Sequence, residues 1–212
     1  SRRRRRSSRT SPIPAAPLAP REYHATAWTG SQLVVWGGYN GNIGQMYGDG
    51  ARYDLATNSW APISGSNAPN ARFYHSAVWT GSEVIVWGGL NYPVYDLSGG
   101  RYNPVTDTWT PTSLVNAPSL RWFHAAVWTG TEMIIWGGFI NNGITPTGGR
   151  YRPDTDTWTP TNVPDSPVTR MWPVGVWTGT EMVVWGGYDW LWVGDLGDGA
   201  RYRPADDTWT AT

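Results

Sequence analysis

The chain of 212 residues has no cysteine and no lysine. Without thiols there is no disulfide framework, no thiolate nucleophile and no Cys-ligated metal, and the redox compartment cannot be read, so secretion is left open. Without lysine every fixed cation is an arginine. Six of the sixteen arginines lie within residues 1–9, leaving ten to face all sixteen acidic residues in the remainder. The formal net charge of zero therefore hides a basic tail and an acidic body. Helical patterning is scarce throughout. No apolar run approaches the length of a membrane span, and the Arg-rich start lacks the apolar segment of a signal peptide. The first residue is Ser rather than Met, which reads as a processed product or an excerpt of a longer chain.

What is abundant is equally specific. Twenty-six Gly, seventeen Pro and sixteen Trp, with 40% hydrophobic and only 15% charged residues, fit a folded body of many short strands joined by tight turns. Residues 1–20, SRRRRRSSRTSPIPAAPLAP, stand apart. A charge block followed by a Pro/Ala run cannot bury a core, so this stretch is expected to be disordered and then extended. An Arg run holds nucleic acid through counterion release, but no aromatic is interleaved here, and a solvated tail is the expected reading.

From Arg21 onward the chain says one thing four times: REYHATAWTGSQLVVWGG from Arg21, RFYHSAVWTGSEVIVWGG from Arg72, RWFHAAVWTGTEMIIWGG from Arg121 and RMWPVGVWTGTEMVVWGG from Arg170. Each phrase leads to an Arg-Tyr pair and then a Trp seven residues after that Tyr, as in Tyr102 to Trp109. The copies start 51, 49 and 49 residues apart, and a period near fifty marks a repeat architecture. Within the second copy, Phe73 to Trp79 and Val84 to Trp87 form a hairpin about the Thr80-Gly81-Ser82 turn, where Gly takes a positive φ without steric cost. Gly88-Gly89 ends the second strand. Gly100-Arg101-Tyr102 opens a third, and a Pro/Asp/Thr turn leads into a fourth at Trp109-Thr110.

A diglycine closing the second strand, followed by Tyr and Trp across the third and fourth, resembles the kelch repeat over residues 21–210. The resemblance implies an all-β chain: a β-propeller of four kelch-like, four-stranded blades, in copies 21–71, 72–120, 121–169 and 170–212. The strand before the Thr-Gly turn would lie innermost and the Trp strand outermost, with edges protected by radial repetition. Kelch propellers usually have five to seven blades. Four copies therefore imply either a closed four-bladed ring held by side-chain packing alone or part of a larger propeller, with oligomers or missing blades as partners. Residues 11–21 resemble the connection VNAPSLR before the third copy, which favours a blade upstream.

Twelve of the sixteen Trp occupy three repeat columns (Trp28, Trp79, Trp128, Trp177; Trp36, Trp87, Trp136, Trp185; Trp60, Trp109, Trp158, Trp209) and are expected to pack blade on blade. Trp122, Trp190 and Trp192 break the pattern. Only the stretch from the second Gly to the Tyr varies in length, being 15, 13, 13 and 15 residues, and variation confined to one loop of a rigid scaffold is where binding residues are usually carried. In a closed ring the two longer loops would stand side by side. That predicts one lopsided patch from Tyr39, Met46, Tyr47, Trp190 and Trp192, flanked by Asp189 and Asp195.

Arg72, Arg121 and Arg170, with Tyr74, Phe123 and Trp172 close behind them, form an Arg ring beside an aromatic ring. Such a pair suits an acidic peptide or a carbohydrate; the alternative is internal Arg bonded to loop carbonyls. His24, His75 and His124 share one column and would meet at the axis of a closed ring, a metal-ligand pattern. The fourth position is Pro173 and no carboxylate replaces it, so the column reads as structural and no metal or cofactor is expected. Asp107, Asp156 and Asp207, with Asn58, read as turn residues, and Glu83, Glu132 and Glu181 as solvated hairpin ends. The copper-radical site of kelch-type oxidases needs a Cys-Tyr crosslink that this chain cannot form. The leading expectation is a non-enzymatic propeller that recognises protein or peptide on its loop face. The alternatives are a carbohydrate-binding or carbohydrate-active propeller using loop Trp, and a structural fragment of a larger propeller.

Overall fold

The computed structural model describes residues 12–96, 98–189 and 194–212. The Arg-rich residues 1–11 and the loop positions Trp190 and Trp192 lie outside the described residues. Among the described residues every regular element is a strand.

The first copy contains β1 (Ala25–Trp28), β2 (Gln32–Trp36), the short hairpin β3 (Tyr39–Asn40) and β4 (Gln45–Met46), β5 (Gly50–Asp54) and β6 (Ser59–Pro62). The second contains β7 (Ser76–Trp79), β8 (Val84–Trp87), β9 (Gly99–Asn103) and β10 (Thr108–Pro111). The third runs β11 (Ala125–Trp128), β12 (Met133–Trp136), β13 (Phe139–Ile140), β14 (Gly143–Ile144), β15 (Gly148–Arg152) and β16 (Thr157–Pro160). The fourth runs β17 (Val174–Trp177), β18 (Met182–Trp185), β19 (Tyr188–Asp189), β20 (Gly194–Asp195), β21 (Gly199–Arg203) and β22 (Thr208–Ala211). Each copy makes one antiparallel four-stranded sheet, in the orders β1-β2-β5-β6, β7-β8-β9-β10, β11-β12-β15-β16 and β17-β18-β21-β22. The four sheets share one blade-like design.

Registers repeat from blade to blade. Ala25 faces Trp36, and its counterparts Ser76, Ala125 and Val174 face Trp87, Trp136 and Trp185. The start of each innermost strand therefore sits beside the diglycine and the variable hairpin, at one end of the blade. That end is the loop face.

Packing joins the blades in series. Ala27, Val34 and Trp36 of the first blade meet Val84, Val86, Tyr102 and Trp109 of the second. Val78, Ile85 and Trp87 meet Met133, Ile135, Tyr151 and Trp158. Ala125, Val127, Ile134 and Trp136 meet Met182, Val184, Tyr202 and Trp209. At each junction the second-strand Trp of one blade lies against the outer-strand Trp of the next, with centroids 5.4, 5.2 and 5.2 Å apart. Burying a ring of this size contributes on the order of 4 kcal/mol gross. Among the described residues no fourth cluster returns from the last blade to the first.

The diglycine has a steric cause. A Cβ on Gly37 would lie 2.6 Å from Cε1 of His75 and 2.8 Å from the Arg72 carbonyl oxygen, and φ is +70°. The next blade approaches the backbone too closely for any side chain. His75 and His124 therefore sit edge-on against Trp36 and Trp87 of the preceding blade, with centroids 5.2 and 5.6 Å away. His75 and His124 thus occupy successive junctions, each against the Trp of the blade before it.

The turn and hairpin carboxylates are busier than their sequence reading. Asp107, at φ +56°, accepts from the Tyr102 hydroxyl at 2.7 Å and from the Ser64 amide of the preceding connection at 3.1 Å. Asp156 does the same with Tyr151 and Ser113. The Asp column thus ties neighbouring blades as well as bracing its own hairpin. Glu83, Glu132 and Glu181, read as solvated ends, pair with Arg101, Arg150 and Arg201 and are mostly buried.

Candidate functional site

On the loop face, one residue before each column His or Pro, stand Tyr23, Tyr74, Phe123 and Trp172. All four have left-handed backbone, with φ of 57°, 59°, 60° and 54°. A bulky non-Gly residue in that region costs on the order of 1–3 kcal/mol and persists only where its surroundings dictate it. Here the backbone of one blade hydrogen-bonds to the last: the Tyr74 amide donates to the Tyr23 carbonyl at 3.1 Å and the Trp172 amide to the Phe123 carbonyl at 2.8 Å. The reversed backbone turns the four rings into a continuous ladder with centroid spacings of 4.3, 4.2 and 4.3 Å. Burial, reinforced by the Tyr23 hydroxyl, raises the Tyr74 phenol well above its ordinary range. The two ends stay open to solvent, Tyr23 being 46% and Trp172 54% exposed.

A second aromatic row flanks the ladder. The residue after each column Arg bridges to the residue after each diglycine: Glu22 to Tyr39, Phe73 to Leu90, Trp122 to Phe139 and Met171 to Tyr188. Tyr39 stacks on Phe73 at 4.8 Å and Trp122 lies 5.2 Å from Phe139. Leu90, Tyr95, Trp122, Phe139 and Asn141 line an open cleft of about 470 Å³ between the second and third blades. Among the described residues its lining has no carboxylate or guanidinium.

Beneath these rows lies the Arg column. Arg72, Arg121 and Arg170 are fully buried. Arg72 donates to the carbonyls of Asn70, Gly88 and Ser98 and pairs with Asp96 at 3.0 Å. Arg170 pairs with Asp198 at 2.9 Å, and the first-blade Arg21 pairs with Asp49 at 2.8 Å. Arg121 has Thr147 and Ser119 oxygens instead of a carboxylate, and desolvation brings its pKa down to about 10. These guanidiniums brace the variable loop from inside, and burial keeps them from touching a ligand on the face above. Their donors are used by loop carbonyls, the internal arrangement of the two that the sequence allowed.

The other expected site residues are spread out. Tyr39 pairs with Met46 across the first hairpin, and Tyr47 lies under the Arg21 guanidinium at 4.1 Å. Asp195 pairs with Tyr188 in the fourth hairpin, and Asp189 beside it is buried. The described packing runs in series, with Tyr39, Met46 and Tyr47 on the first blade and Asp189 and Asp195 on the fourth. Trp122 does reach the surface cleft. Sequence reasoning missed Tyr95, which belongs to no column and lies in the loop of variable length, and Phe139, whose column after the diglycine holds Tyr39, Leu90 and Tyr188 in the other copies; their aromatic character was the one available signal.

The family model for the KLHDC2/KLHL20/DRC7 Kelch-repeats domain matches residues 23–212. No curated protein matches the chain. With four blades in one register, diglycines under the next blade's ring and a Tyr-Trp pair across the outer strands, the chain belongs to the kelch-repeat family.

Proposed function

We propose that the chain is a non-enzymatic scaffold that recognises a protein or peptide on its loop face, with the Tyr23–Tyr74–Phe123–Trp172 ladder as the contact surface. The ladder carries this reading: exposed aromatic rings fixed on a strained, rigid backbone offer large contact area at small entropic cost, which is what a hot spot needs. Kelch domains are in general protein-binding propellers, which supports the same choice. A glycan is the second reading, favoured by the uncharged aromatic cleft of Tyr95, Trp122 and Phe139, where sugar faces would stack.

A phage-displayed peptide library panned on the folded chain, alongside a glycan array, separates the two. The expected result is a peptide whose affinity falls at least tenfold in Tyr23→Ala/Trp172→Ala while the melting temperature holds. Peptides that bind that variant as well as the parent chain would reject the ladder as the site.

A further inference from the structure

The three blade junctions share a set of contacts, and the far side of the fourth blade lacks every one of them. At each junction a second-strand Trp is covered: Trp36, Trp87 and Trp136 are 2%, 0% and 0% exposed, whereas Trp185 is 55% exposed. Val174 and Val176 on the same face of β17 are 60% and 55% exposed, where their counterparts Ala125 and Val127 are buried. Gly37 and Gly88 are closed over by the His75 and His124 rings, whereas nothing lies closer to a Cβ placed on Gly186 than the Leu196 carbonyl at 3.7 Å. Gly38, Gly89 and Gly138 each donate an amide to the carbonyl of the next column Arg, and Gly187 has no such partner among the described residues. Arg52, Arg101 and Arg150 donate to Pro104, Pro153 and Pro204 of the following blade. Arg201 turns back to Glu181 instead.

The opposite end of the chain presents the matching half. The outward face of the first blade carries Trp28, 49% exposed where Trp79, Trp128 and Trp177 are partly covered. It also carries the half-buried Trp60 and Leu33, with His24 at the position from which His75 and His124 reach into the blade before them. The connecting peptide is in place too. Trp109, Trp158 and Trp209 donate their indole N–H to the carbonyls of Ser64, Ser113 and Asn162, each on the connection from the preceding blade. Trp60 donates to Pro14 at 2.9 Å, so residues 12–20 lie along the first blade as those connections lie along theirs.

We propose that the exposed face of the fourth blade, built on Val174, Val176, Trp185 and Gly186, is an interface for the first blade of a second copy of this chain, joined head to tail. In the joined pair Trp60 takes the place against Trp185 that Trp109 takes against Trp36, and His24 covers Gly186. The new contact continues an interface already made three times within one chain, and both halves of it are carried by the same molecule. Because the two surfaces differ, the contact is heterologous and closes into a ring or extends as a filament according to the rotation between blades.

Light scattering on the size-exclusion eluate of the whole chain at about 50 μM tests this. The expected result is a mass at a multiple of the 23.5 kDa chain, returning to a single chain in Trp185→Arg and, separately, in Trp60→Arg, with circular dichroism confirming that each variant keeps its strands. Mixing the two variants should restore a pair, since each retains one sound surface. A wild-type chain that stays single, or variants that associate as before, would overturn the proposal. So would a mixture that fails to pair while both variants remain folded.

Discussion

The two buried histidines make a prediction about acid. Burial, with Arg72 next in effect, pushes the His75 imidazole from its ordinary 6.5 down to about 3, and burial with Arg121 does the same to His124. Both rings are therefore neutral in the folded chain and take up protons in the unfolded chain as pH drops below 6.5. The unfolded state then binds more protons, so stability rises with pH across this window and is lost as pH falls from 6.5 toward 3. At pH 5 the difference amounts to about 2 kcal/mol for each ring, or about 4 kcal/mol for the pair. That is a large part of the 5–15 kcal/mol typical of a domain. Competing groups act elsewhere: the carboxylates of Asp54, Asp96 and Asp154 are lowered, and their contributions fade only below about pH 4. His24, lowered in the same direction, adds to the effect. Urea unfolding of dilute protein at pH 7.5 and pH 5.0 should show the loss in the wild type and most of it removed in His75→Gln/His124→Gln. Equal wild-type stability at the two pH values would refute the reasoning, as would an undiminished loss in the double variant.

Other substitutions probe the remaining parts of the frame. Trp87→Ala empties a fully buried site and should cost about 3–5 kcal/mol, whereas Trp185→Ala in dilute protein should cost less than about 1 kcal/mol because its ring is half in water; thermal melts compare them. Arg121→Met strands the carbonyls of Gly137, Thr147 and Ser119 and should cost more than about 3 kcal/mol. The surface Arg203→Met should stay within about 0.5 kcal/mol, and similar losses in urea would show that the buried fork is dispensable. Gly138→Ala would place a Cβ 2.6 Å from the Trp122 carbonyl oxygen at φ +91°, while Gly30→Ala, at φ +97°, meets open space. The first should unfold the chain at temperatures the second tolerates, since the second bears only the backbone penalty of about 1 kcal/mol.

By itself the sequence determined whatever recurs. A fourfold phrase with its spacings held constant can satisfy its backbone and bury its Trp columns in only one kind of unit, so the four sheet strands of each copy, the turn positions, the diglycines and the core columns were legible, whereas the short hairpins β3-β4, β13-β14 and β19-β20 in the variable loop were not. Local chemistry was enough because each of these features depends on neighbours a fixed distance away in the chain. Three things depended on contacts between blades, and only the tertiary structure decided them. The Arg column turned inward because the carbonyls it satisfies arrive from the variable loop and the preceding connection. His75 and His124 took successive junctions because each ring fills the space above the previous blade's glycine. Tyr23, Tyr74, Phe123 and Trp172, legible in the sequence as an aromatic row beside the Arg column, became a stacked ladder because hydrogen bonds between blades hold their backbone left-handed. The same logic separates Trp36 from Trp185 in one column: the second blade packs over Trp36 and makes it core, while Trp185 is 55% exposed.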